Sequence, residues 1–224
     1  MVHLQEIKAD IRPGVELVAV SKYHPAEAIR QAYAAGQRAF GESRVQELQA
    51  KRQELPNDIE WHFIGHLQPN KVKYIAPYIS LIHAVDSFKL LLEIEKQAAK
   101  VGRIIPCLLE LRVAQEATKY GFTPAECTAM LAEGQWRNLH HVKLCGIMCM
   151  ASHTDATAQI RQEFHTAYSY FQEVKARFFA DAPAFCQRSW GMSHDYHLAM
   201  DEGATMVRVG TGIFGERNYS IKED

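Results

Sequence analysis

The spacing of apolar positions along the chain changes in a regular way. VELVAV (15–20) is a near-continuous, β-branched run of the kind a strand buried on both faces requires. PAEAIRQAYAAG (25–36) then spaces alanine and isoleucine helically, between an opening proline and a closing glycine. The alternation continues. QRAFGE (37–42) reads as a strand and SRVQELQAKRQEL (43–55) as a helix; IEWHFIGH (59–66) is a strand and PNKVKYIAP (69–77) a short helix. SLIHAV (80–85) is a strand, followed by a long amphipathic helix over DSFKLLLEIEKQAAKVG (86–102), capped by Asp86 or Ser87. The remaining strands are IIPCLLELRV (104–113), VKLCGIMCM (142–150), PAFCQRSWGMS (183–193) and TMVRVG (205–210). Helices are predicted over 123–134, over the long pattern 154–178 and over DYHLAMDEG (195–203).

Eight strand-then-helix units in this length, with no linker or low-complexity stretch between them, predict an α/β fold. The expected form is a single (β/α)8 TIM-type barrel domain spanning 1–224, favoured over an open doubly wound sheet. In such barrels the chemistry sits at the carboxyl ends of the strands. Lys22, Glu42, Gly65, His66, Asp86, Ser193 and Thr211 all fall just past predicted strand ends, so they are expected to ring one mouth.

Composition narrows what that mouth could bind. The 224 residues carry 25 Lys plus Arg against 26 Asp plus Glu, a formal charge of -1, so no broad basic field is available for nucleic acid. No run of apolar residues approaches a membrane span, and MVHLQEIKAD bears charges where a signal peptide would be apolar; a cytoplasmic, monomeric protein is expected. Cysteines 107, 127, 145, 149 and 186 contain no CxxC pair and suit reduced thiols. An anion must therefore be held locally. GTG (210–212) follows the last strand, and Gly191 and Ser193 follow the one before it. Glycine- and hydroxyl-rich loops after strands seven and eight hold phosphate in barrels of this kind.

A lysine at the mouth, facing a phosphate cup, fits either a Schiff-base aldolase acting on a sugar phosphate or a protein holding pyridoxal 5'-phosphate. Here a resemblance adds to the residue-level argument. VAVSKYHP (18–25), FGESRVQE (40–47), WHFIGHLQPNK (61–71), Val85-Asp86, EATKYGF (116–122), CGIMCM (145–150), GMSHD (191–195) and VRVGTGIFGER (207–217) occur in order over nearly the whole chain. Together they resemble the pyridoxal phosphate homeostasis proteins of the YggS/PROSC type. The resemblance implies a fold type III barrel like the amino-terminal domain of alanine racemase. It also implies a Schiff base on Lys22, phosphate contacts from Ser193, Gly210 and Thr211, and Arg208 facing the pyridine nitrogen.

Arg208 has a chemical consequence. A permanent cation beside the ring nitrogen opposes its protonation and so weakens the cofactor as an electron sink. The racemases also draw a second acid/base, a tyrosine, from a domain for which this length leaves no room. The resemblance thus implies a vitamin B6 carrier in pyridoxal phosphate homeostasis, serving pyridoxal-dependent apoenzymes, with an amino-acid racemase as the alternative. Ser43, His66, Pro69 and Trp190 depart from the residues commonest in that family. Lys119 is a candidate for a second adduct, whereas Lys71 and Lys73 read as solvated helix cations and His140 and His141 as loop histidines. No metal site is expected: His194 and His197, with Asp195 and Asp201, have a spacing too common to specify one.

Overall fold

In the computed structural model, which describes residues 3–114 and 120–216, eight strands close into one barrel in sequence order, every neighbouring pair parallel. The strands are β1 (Glu16–Val20), β2 (Ala39–Glu42), β3 (Glu60–Phe63), β4 (Leu81–Val85), β5 (Ile105–Leu111), β6 (Val142–Cys149), β7 (Gln187–Ser189) and β8 (Met206–Val209). Outside them lie α1 (Leu4–Asp10), α2 (Ala26–Ala34), α3 (Val45–Glu54), α4 (Val72–Ile75), α5 (Phe88–Lys100), α6 (Pro124–Glu133), α7 (Thr157–Phe178), α8 (Tyr196–Asp201) and α9 (Thr211–Phe214). The (β/α)8 expectation holds.

Local chemistry accounts for the boundaries. Ser87 rather than Asp86 caps α5, its hydroxyl accepting from the Leu90 amide. Thr123 and Glu126 form a reciprocal capping box at the start of α6, and Gly134 ends that helix in the left-handed conformation. Several predicted elements are shorter than their patterns, β7 and α7 among them. β7 has only three residues, and Phe185, just before it, is buried and stacks on Phe179 with ring centroids 4.0 Å apart. α7 starts at Thr157, three residues into its pattern.

The apolar residues form two layers. Between strands and helices lies the larger core, including Phe40, Trp61, Phe63, Leu90, Ile94, Phe164, Phe171 and Trp190. Inside the barrel is a second cluster of Val18, Ala39, Leu81, Ala84, Leu108, Cys145, Met148 and Met206. Gly146 is where β6 meets β7 most closely: a Cβ there would lie 1.8 Å from the Gln187 carbonyl oxygen. Above the apolar plug the lumen becomes polar, and the candidate site begins there.

Candidate functional site at the carboxyl end of the barrel

β1 ends at Val20, and Ser21, Lys22 and Tyr23 turn the chain into α2, with Lys22 half-buried. Tyr23 has φ +65, the only left-handed non-glycine residue among those described. Its amide donates to Glu47 Oε1 at 2.6 Å. The Ser21 hydroxyl donates to Glu42 Oε1 at 2.5 Å, and its carbonyl accepts from Lys51 Nζ at 2.8 Å.

Glu42 does not join the ring at the mouth, contrary to the expectation from its position. A side chain on neighbouring Gly41 would meet Val18, Val20 and Ile64, which marks Gly41 as facing the lumen. Strand alternation therefore turns Glu42 outward, where it is fully buried against α3 and bonded to Ser21 and Lys51. Burial pushes its carboxyl up to about 7, against the pull of the Lys51 ammonium.

Across the seam between first and last strands, β8 runs beside β1 with Val18 opposite Arg208 and Ala19 opposite Val209. Gly210 follows, where a side chain would be tight: a Cβ there would stand 3.0 Å from the Val20 carbonyl oxygen. The amides of Gly210 and Gly212 converge on the hydroxyl of Ser193, at 3.1 and 3.4 Å. Thr211 opens α9 at this point. The loop carrying Ser193 is held by Asp195, whose carboxylate accepts from the Met192 amide at 2.5 Å, and Gly191 makes its turn at φ +94. Ser193, Gly210 and Thr211 are thus brought together one strand away from Lys22.

Arg208 lies inside the barrel, buried, and spends three of its five N–H donors on protein. Nη1 donates to the carbonyl and the hydroxyl of Ser189, both at 2.6 Å, and Nη2 to the Cys149 carbonyl at 2.9 Å. Nε–H and one Nη2–H have no protein acceptor among the described residues. A polar thread runs on from Ser189: its hydroxyl meets His83 Nδ1 at 2.9 Å, and His83 Nε2 meets His62 Nδ1 at 3.0 Å. Burial drives both imidazoles toward the neutral form, His62 down to about 4 and His83 well below its usual range, where His62 and Arg208 add repulsion. Glu110, also facing the lumen, is raised to about 7 by burial and by Asp86, despite the opposing pull of Arg208.

At the rim His66 Nδ1 pairs with Asp86 Oδ2 at 2.8 Å, and its ring stacks on Tyr120 at 3.8 Å. Gly65 has no space for a side chain because the Ser43 backbone passes 2.6 Å from where a Cβ would stand. Ser43, His66, Tyr23 and Lys71 share a cleft of about 840 Å³ that opens beside the mouth toward α3. Trp190 is fully buried in the outer core. Lys119 lies outside the described residues. His194 and His197 diverge, one toward Asp195 and the other toward Asp10. At the opposite end of the lumen Glu16, Glu60 and His62 bring ligand atoms within 4.8 Å of one another, remote from the mouth.

Sequence reasoning missed Lys51, Glu47, Ser189 and His83. Lys51 continues the short buried face of Val45 and Leu48 in α3, at a position where a lysine reads as solvated rather than as part of the core. The one visible signal was the (i, i+4) Glu47–Lys51 pair, ordinarily a surface feature.

No helix among the described residues is long and apolar enough to cross a membrane. The family model for the N-terminal domain of alanine racemase matches residues 2–218. A pyridoxal phosphate homeostasis protein of Aquifex aeolicus is 38% identical over 205 residues, 91% of this chain and 88% of that protein. PipY of Synechococcus elongatus, solved without pyridoxal phosphate, superposes with a TM-score of 0.88 at 39% identity, covering 95% of this chain and 98% of that one. Its form with pyridoxal phosphate bound gives 0.84 at 38% identity over the same shares. Alanine racemase of Clostridium difficile shares the fold at 15% identity, with a TM-score of 0.77 over 93% of this chain and 54% of its own. The chain belongs to the alanine racemase N-terminal domain family and, within it, to the pyridoxal phosphate homeostasis proteins.

Proposed function

We propose that this protein binds pyridoxal 5'-phosphate at the carboxyl end of the barrel and serves its homeostasis in the cytoplasm as a monomeric carrier. In this role it buffers the cofactor or passes it to pyridoxal-dependent apoenzymes. The observation that carries the reading is the convergence of the Gly210 and Gly212 amides and the Ser193 hydroxyl at the start of α9, one strand from Lys22. Amide donors aimed at one point beside a helix start, with no side chain at Gly210, make a cradle for a phosphate. Lys22 would hold the aldehyde end as a Schiff base, and the Thr211 hydroxyl would add a phosphate contact. The two open donors of Arg208 suit an acceptor such as an unprotonated pyridine nitrogen. Bound cofactor supplies an electrophilic aldehyde carbon; the protein contributes an amine, a phosphate cradle and a fixed cation.

That cation makes the bound cofactor a poorer catalyst of amino-acid racemisation. A guanidinium at the ring nitrogen favours the neutral pyridine, a weak stabiliser of a substrate carbanion. Relatives named for homeostasis, and a close structural neighbour solved with and without pyridoxal phosphate, support a role in homeostasis. The test is the visible absorption spectrum of the protein mixed with pyridoxal phosphate, followed by borohydride reduction and peptide mapping. The label is expected on Lys22, and the absorption band is expected to vanish in Lys22→Ala. A label on another lysine would refute the assignment. Rapid interconversion of D- and L-alanine would instead establish the racemase.

A further inference from the structure

We infer that Lys51 is a positioning residue for Lys22, acting through a buried clamp built on the outer face of the barrel wall. The inference rests on Lys22 as the cofactor-binding amine. The Lys51 ammonium has three protons and three acceptors: Ser21 O at 2.8 Å, Glu42 Oε1 at 2.7 Å and Glu47 Oε1 at 2.6 Å. The same two carboxylates take the Ser21 hydroxyl and the Tyr23 amide. Ser21 O belongs to the peptide plane entering Lys22, and Tyr23 N to the plane leaving it. Both planes are therefore tied to one ammonium, at first or second hand, and Lys22 has little backbone freedom left.

Two further observations make this more than an ion pair. Tyr23 is held at φ +65, a conformation that costs a non-glycine residue energy and persists only where surroundings enforce it; the bond to Glu47 is one of those restraints. Lys51 is also buried, with only 8% of its side chain exposed, and lysine is rarely taken out of water without such compensation. A plain turn would serve to connect β1 to α2. A clamp on both flanks of Lys22 serves to aim one side chain.

Aim matters because the neutral Lys22 amine must approach the aldehyde carbon while the phosphate is fixed one strand away. The C=N bond forms there, the carbonyl oxygen leaves as water, and the ammonium proton has gone to solvent. Holding the amine in place removes the orientational search from that step. Glu47, 20% exposed where it lines the cleft, is the member of the clamp that can be altered with least damage to the core.

The experiment compares wild type, Glu47→Gln, Lys51→Met and Lys51→Arg. Two quantities are measured: hydrogen exchange of the Tyr23 amide in cofactor-free protein, and the rate of borohydride-trappable capture of pyridoxal phosphate at Lys22. Glu47→Gln is expected to speed Tyr23 exchange about tenfold, with Val18 and Val20 unchanged, and to slow capture several-fold. Lys51→Met is expected to slow capture by tenfold or more, with partial recovery in Lys51→Arg, which keeps the charge. If Lys51→Met fails to fold, Glu47→Gln still decides. Capture at Lys22 that proceeds at the wild-type rate in whichever of Glu47→Gln and Lys51→Met folds, with Tyr23 exchange in Glu47→Gln also unchanged, would overturn the clamp alone. A wild-type label on a different lysine would overturn the Lys22 assignment, and the clamp's purpose with it.

Discussion

Glu110→Gln should make the protein more stable in mild base and leave it little changed in acid. Glu110 faces the barrel lumen, 3% exposed, and its Oε2 has no hydrogen-bond partner among the described residues. Burial, and secondarily the neighbouring Asp86, raise its carboxyl from 4.5 to about 7, with Arg208 only partly offsetting them. The folded protein therefore holds this proton more tightly than the unfolded chain does. The stabilisation from the protonated carboxyl is complete below pH 4.5 and is lost as the pH rises through 7. At about 1.36 kcal/mol per tenfold change in proton affinity, the loss approaches about 3 kcal/mol by pH 8. Glutamine keeps the shape without the charge. Urea unfolding of cofactor-free wild type and variant, at intervals from pH 4.5 to 8, should show the stability difference growing in the variant's favour by about that amount, mostly between pH 5 and 7. Parallel curves would refute the argument by showing that Glu110 ionises in place without cost. Glu42, raised to a similar value, should leave a residual downward slope in the variant.

Other substitutions probe other parts of the fold. Gly146→Ala would drive a Cβ into the Gln187 carbonyl, which backbone on both sides prevents from moving away, so loss of soluble, cooperatively melting protein is expected. Thr123→Ala removes the hydroxyl half of the capping box and should cost about 1 kcal/mol, read as a lower urea midpoint. Ser193→Ala deletes the hydroxyl where two amides converge; the affinity for pyridoxal phosphate, followed by its absorbance, should fall about tenfold, as expected for loss of one hydrogen bond to a charged group.

The barrel was legible in the sequence because each strand is an apolar run bracketed by helix start and stop residues, and eight repeats of that pattern leave few topologies open. The convergence of Ser193 with Gly210 and Gly212, proposed above as a phosphate cradle, was legible for a similar reason: glycine and serine immediately after a strand are a local signal. Arg208 was not, since an arginine between two valines looks the same whether it is a structural ion pair or a ligand contact, and the family resemblance made that assignment. Glu42 was misplaced because nearness to a strand end sets height in the barrel but not face, and which face is inward depends on Gly41, Val18 and Ile64 meeting across strands. Lys51 was invisible for a stronger reason. Its partners lie 4, 9 and 30 residues away, and only closure of the β1–β2 wall against α3 brings them to one point.

The seam between β1 and β8 carries an implication for how the protein comes into being. Lys22 belongs to the first strand's exit and Ser193, Gly210 and Thr211 to the last two, so the amine and the proposed phosphate cradle are made about 170 to 190 residues apart in the order of synthesis. Neither half has a partner until the final strand docks and the ring of hydrogen bonds is complete. A ligand that bridges the seam therefore recognises only the finished barrel. By mass action it also holds the barrel shut. For a protein that binds pyridoxal phosphate across this seam as proposed, the supply of cofactor would set how long the closure lasts, and scarcity would leave a larger share of chains opened.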